Sequence, residues 1–189
     1  MHDRIIATAT SLFVERGFSG VAMREISEAC GITKAALYYH FASKAKLLYA
    51  VCKSYLDVNA AVVEAVIAEG GTYEAQLRML VHQLFQVPGE QRAILRLAMH
   101  DLDSLDPDDH EAFLEDYRER FTDPVERIFT QGAARGEFRS VDPELLTWYL
   151  LGIAYPYFGL PGSTEEPTDP RMVDQLLDLF IGGLRAPAA

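Results

Sequence analysis

The chain has 189 residues, 49% of them hydrophobic, with 28 acidic and 17 basic side chains for a net charge of −11. That length buries a sizeable core without a disulfide framework or structural metal, and Cys30 and Cys52 are too few for such a framework. No apolar run approaches the roughly 20 residues of a membrane span, and Met1-His2-Asp3-Arg4 leads straight into a helical pattern with no signal-peptide core. The expected setting is a reducing cytoplasm with no membrane partner.

The acidic balance is unevenly spread. Residues 1–53 carry seven Lys and Arg against four acids, so +3, and the remainder carries −14. A mildly basic head on an acidic body can present one face to phosphates while the body repels them.

Apolar residues recur at three- and four-residue spacing almost throughout, and alternating strand patterns are scarce. Ile5, Ile6, Ala9, Leu12 and Phe13 form a first stripe, stopped by the turn Gly17-Phe18-Ser19-Gly20. Met23 to Cys30 reads as a second helix, with Ile26, Ala29 and Cys30 on its inner face. After Gly31-Ile32, Thr33 is placed to cap a short third helix carrying Lys34, Tyr38, Tyr39 and His40. Helix, glycine turn and polar-faced helix make a helix-turn-helix, whose second helix enters the DNA major groove.

A long helix is predicted from a Ser43 cap to Glu69, with Leu47, Leu48, Val51, Tyr55, Val58, Val62 and Val66 inward and Gly70-Gly71 as its stop. Thr72 caps the next segment, which ends at Pro88-Gly89; another, around Ile94 to Ala98, ends in the acidic turn Asp101 to Asp109. A long helix carries Phe113, Tyr117, Phe121, Val125, Ile128 and Phe129, and Pro124 should kink or divide it. Asp142-Pro143 opens a helix running towards Pro156. A loop rich in Gly, Pro and Thr follows from Gly159 to Pro170, then a very apolar last helix from Met172 to Leu184 and a short Ala-Pro tail. The fold class is all-α: a three-helix helix-turn-helix head over residues 1–46 and a larger helical body over 47–189, about nine helices.

The head resembles the DNA-binding domain of the TetR family of transcriptional regulators. The resemblance rests on the Ile5–Phe13 stripe with Gly17-Phe18, on Arg24 to Lys34, on Leu37-Tyr38-Tyr39-His40-Phe41, and on Ser43-Lys44 before Leu47-Leu48. It covers about a quarter of the chain; the rest follows only the family's general plan of a variable helical body that dimerises and encloses a ligand. The resemblance implies DNA contacts from Arg24, Thr33, Lys34, Ala35, Ala36, Tyr38, Tyr39, His40 and Lys44. Arg24 would reach a base edge; its alternative is a surface ion pair with Glu28, four residues on. Thr33 would cap and touch phosphate. Ala35 and Ala36 would let the backbone approach the groove, and Tyr38 is favoured over Tyr39 for phosphate. One departure stands out: Val21-Ala22 occupy the place where the family often has a capping Thr or Ser, so Ser19 must cap the second helix or the contact is lost.

For the body, the resemblance implies a homodimer on a quasi-palindromic double-stranded operator and a small-molecule effector. The apolar excess of the last helices agrees with a partner surface, with Leu145, Tyr149, Met172, Leu176, Phe180 and Leu184 as interface candidates. Candidate ligand residues are His82, Phe85, Met99, Phe113, Tyr117, Trp148, Tyr149 and Tyr155; Trp148 and Tyr155 lead because their polar tips could point into a cavity. The acid-rich body favours a cationic or neutral apolar effector over a strong anion. His100, Asp101, Asp103, His110 and Glu111 are of metal-ligand type but match no compact spacing. With no phosphate loop or nucleophile motif, neither cofactor, metal nor catalysis is expected. The function expected is that of a ligand-responsive transcriptional regulator, a repressor released from its operator by a small molecule. A helical small-molecule- or metal-binding protein without operator binding is the alternative.

Overall fold

A computed structural model describes residues 1–159 and 169–185, and the segments below are those of the described residues. The helices are α1 (His2–Arg16), α2 (Met23–Ala29), α3 (Lys34–His40), α4 (Lys44–Glu69), α5 (Tyr73–Gln86), α6 (Gly89–Asp101), α7 (Pro107–Tyr117), α8 (Asp123–Ala134), α9 (Pro143–Ala154), α10 (Pro156–Gly159) and α11 (Pro170–Leu184). Because α7 runs into α8 and α10 prolongs α9, these segments amount to nine rods. Most of the predicted loop from Gly159 to Pro170 and the whole Ala-Pro tail lie outside the described residues.

Local chemistry sets the boundaries. The hydroxyls of Thr33, Ser43 and Thr72 each accept from an amide three residues on, at 3.1 Å. Asp142 accepts from the Glu144 amide at 3.0 Å, with Pro143 in the first helical turn. The missing cap of α2 is replaced from the other side. Ala22 stands at the N-cap and Ser19 takes no part; Glu25 instead accepts from the Ala22 amide at 2.7 Å. Its other carboxylate oxygen pairs with Arg16 at 2.8 Å, and these contacts hold the carboxyl below its ordinary range, the bond to Ala22 first. Between α2 and α3, Gly31 turns at φ +63°, a conformation glycine adopts at little cost.

Pro124 interrupts the α-helical ladder of the long helix without ending the rod. Over residues 118–122 the backbone widens into a π turn, and the Asp123 amide donates to the Arg118 carbonyl five residues back. Pro124 then falls in the first turn of α8, where a missing donor is harmless.

One buried apolar cluster runs from Ile5, Phe13 and Leu37 in the head, through Leu48, Val51 and Leu56 on α4, to Ile128, Leu177 and Ile181. On α4 the inner face is rotated from the predicted one: Leu56, Asn59 and Val63 are buried, Val58 is exposed and Val62 half-buried. The reason is that α4 packs on α1, α5, α6, α7 and the π turn in succession, so no single stripe is hidden along its length. On α2, similarly, Met23 and Ser27 are buried and Ala29 is exposed. Among the described residues no helix is long and apolar enough to cross a membrane.

Head and body are tied by polar contacts as well. Arg96 on α6 donates to the Val14 carbonyl of α1 at 2.6 Å, and Ser11 bonds Glu90. Lys46 at the end of the head pairs with Asp109 at 2.7 Å; within the body Lys53 pairs with Asp116, and Arg120 with Asp57 at 2.6 Å, fastening α4 to α7 and the π turn.

Candidate functional site

The polar face of α3 is laid open because its apolar anchors point inward. Leu37 and Phe41 are buried, whereas Thr33, Lys34, Ala35, Tyr38 and Tyr39 are exposed and Ala36 and His40 half-buried. Tyr39 is the most open, at 87%. The Lys34 ammonium lies over the Tyr38 ring, 5.6 Å from its centre. His40 meets His2 of α1 edge-on at 6.3 Å, bringing the start of the chain beside the end of α3.

Arg24 is ion-paired with Glu28 at 3.4 Å, the alternative the sequence left open. Both side chains are well exposed, so water competes for the pair and the guanidinium can exchange Glu28 for another acceptor at little cost. Lys44 is not a simple exposed lysine. Its ammonium sits 4.1 Å from the centre of the Phe18 ring, and partial burial draws its pKa below the usual lysine range, against the opposing pull of Asp101 and Glu25. The turn residue Phe18 thus fixes Lys44 at the N-terminus of α4, where backbone amides also favour an anion. Arg4 and Arg16 are engaged within the head, Arg4 by donating to the Cys30 carbonyl at 2.9 Å.

In the body, α4, α6, α7 and α9 enclose a partly open cavity of about 450 Å³. Five of the eight proposed ligand residues meet there: Met99, Phe113, Tyr117, Trp148 and Tyr155. Three do not. His82 faces Asp174 of α11 at 2.8 Å. Phe85 is buried beside a small apolar void behind the cavity, its ring 6.2 Å from that of Tyr157. Tyr149, one residue past Trp148 and so turned about 100° away, lies on the surface 5.9 Å from the Phe180 ring.

Sequence reasoning missed Tyr55 as a wall residue, having placed it in the core of α4; burial raises its pKa, and that of Tyr117, well above the ordinary phenol value. It also weighed His100, Asp103 and His110 only as metal-ligand types and set that role aside, whereas all three border the cavity, with His110 3.8 Å from Asp103. No three His, Cys, Asp or Glu side chains among the described residues gather to hold a metal ion.

An apolar surface flanks this cavity. Leu145, Trp148, Tyr149 and Gly152 on α9, each three or four residues from two of the others, are exposed, as is Leu179 on α11; Met172 and Leu176 are half-buried. Two interface candidates belong elsewhere. Phe180 and Leu184 are 7% and 2% exposed within the single subunit, packed into its core because they fall on the inner stripe of α11.

Residues 5–51 match the model of the tetR family of bacterial regulatory proteins, and residues 70–155 match that of the tetracyclin repressor-like C-terminal domain. The chain belongs to the TetR family. Among its relatives is the transcriptional repressor KstR2 of Rhodococcus jostii, 25% identical over 187 residues, covering 97% of this chain and 90% of that protein. The head is closer to that of the uncharacterized regulator YerO of Bacillus subtilis, at 42% identity over 57 residues, or 30% of this chain and 20% of YerO. The fold matches that of AibR solved in complex with isovaleryl coenzyme A and operator DNA, with a TM-score of 0.81 at 23% identity, covering 94% of this chain and 96% of AibR. KstR2 of Mycobacterium tuberculosis superposes with a TM-score of 0.82 at 20% identity, covering 97% of this chain and 94% of that one.

Proposed function

We propose that this TetR-family chain is a ligand-responsive, DNA-binding transcriptional repressor that acts in the cytoplasm as a homodimer and is no enzyme. Residues 1–46 read a quasi-palindromic operator; residues 47–189 dimerise and hold the effector. Arg24 and the start of α3, from Lys34, address bases, while Thr33, Tyr38, His40 and Lys44 grip phosphates. Tyr39, the most open of these side chains, lies at the groove or its rim.

The observation that carries this reading is the double duty of α6. Leu95, Ala98 and Met99 wall the cavity, while Arg96, on the same two turns, holds the Val14 carbonyl of the head. A ligand that favours one placement of α6 therefore favours one placement of the head, and only a ligand of unequal affinity for the two states can shift them. A coupling of about 1–3 kcal/mol would change DNA affinity roughly 5–150-fold. The name of a relative matched over nearly the whole chain supports the sign: KstR2 is a repressor.

The test is selection of bound fragments from random duplexes, followed by titration over a salt series. A regulator yields a two-fold-symmetric consensus and an affinity that falls steeply with salt. Lys44→Ala should weaken all duplexes about equally and lower the salt slope by about one unit, whereas Arg24→Ala should relax preference at one base position. Both variants binding like wild type would refute the residue roles. A chain that enriches no duplex would instead be a helical ligand-binding protein.

A further inference from the structure

Taking the body cavity as the effector site of that regulator, we infer that it receives an organic cation with an apolar, bulky body and excludes polyanions such as acyl thioesters of coenzyme A. The wall is rich in aromatic side chains. Rings of Tyr55, Phe113, Tyr117, Trp148 and Tyr155 line one space of about 450 Å³. Ring faces attract a desolvated cation and repel an anion. The two phenols on the inner wall, Tyr55 and Tyr117, carry pKa values raised by burial, so they add aromatic surface without negative charge.

Among the described residues that line the cavity there is no Lys or Arg, and the one carboxylate is that of Asp103. The lining histidines are His100 and His110, and His110 lies 3.8 Å from Asp103. The basic groups named around the cavity each have an acidic neighbour. Lys46 pairs with Asp109 and Asp106, Lys53 with Asp116, and Arg118, in the shallow hollow that shares His110 and Leu114 with the cavity, forms an exposed pair with Asp123 at 3.4 Å. A phosphate-bearing ligand would find no Lys or Arg in the described lining, while an ammonium or phosphonium finds rings within and a carboxylate at the rim.

Trp148 is the single tryptophan of the chain and lines the cavity, so its fluorescence reports occupancy without DNA. The full chain is titrated with tetraphenylphosphonium, with its isosteric anion tetraphenylborate, and with isovaleryl-CoA. The cation should bind at least about tenfold more tightly than either anion. Asp103→Asn and Phe113→Leu should each narrow that preference about threefold, the first by removing the rim charge and the second by replacing a ring face with an alkyl group.

Equal affinities, a tighter anion, or a Trp148 signal unmoved by all three probes overturns the inference. A cation preference in a chain that enriches no duplex would refute the regulator and leave the charge preference standing. Operator binding with no cation preference would do the reverse.

Discussion

Cys52 lies on α4 with no exposed surface, and burial pushes its thiol up to about 12, with Asp101 adding to the shift. In the unfolded chain the same thiol loses its proton near 9. Between those values the native state holds the proton and the unfolded state does not, so stability is full below the lower value and falls as pH rises. One such group gives a slope of about 1.4 kcal/mol per pH unit. Urea denaturation midpoints should therefore drop from about pH 9 upward, before Tyr55 and Tyr117, whose values burial also raises, add to the fall. Cys52→Ala should show a flatter decline over that first unit, and an unchanged slope would place the cause elsewhere. The sequence reading left Cys52 off the inner face of α4. At this scale side chains were legible only where a single neighbour decided them. Leu37 and Phe41 had one core to face, whereas Val58 and Val62 lay on a helix with several partners and were misplaced.

Helices were read more reliably than faces, because caps and breakers act locally. Thr33, Ser43, Thr72 and Asp142 each satisfy an amide that would otherwise lack a partner, and each was visible as a residue type before an apolar run. The start of α2 was not, since Glu25 caps it from inside the helix. Nor could periodicity reveal Gly132. In an exposed helix, glycine to alanine is stabilising by about 1 kcal/mol. Here a Cβ would fall 2.4 Å from the Phe138 ring and 3.1 Å from the Tyr73 Cβ. Phe138 cannot easily withdraw: it is buried and its backbone bridges Arg185 at the end of α11. Gly132→Ala should therefore destabilise the chain by about 1–3 kcal/mol, as overpacking does. A urea melt decides the sign, and a stabilised variant would mean that α8 and the Phe138 segment part more readily than their contacts imply.

At the scale of the molecule, helical class and the presence of a head and a body were legible, because the head's motif is local and the body's periodicity is uniform. The cavity was legible only in part, since its walls come from four helices whose rotation no local pattern sets. The outer surface raises the last question. Leu145, Trp148 and Tyr149 on α9 are each more than half exposed, and Leu179 on α11 is 79% exposed. A monomer leaves that area wet, whereas a two-fold pairing would cover the same patch on both copies. Leu179→Glu places a charge within the patch without disturbing the subunit core, because the side chain points away from it. Sedimentation should show wild type as a dimer and the variant as a monomer of unchanged helicity. Its affinity for a palindromic operator should fall by roughly 10²–10⁴, the gain that linking two heads normally provides, while binding to a single half-site persists. A variant that sediments as a dimer would move the interface off this face of α11, and a monomeric wild type that still selects palindromes would separate the symmetry of the operator from that of the protein.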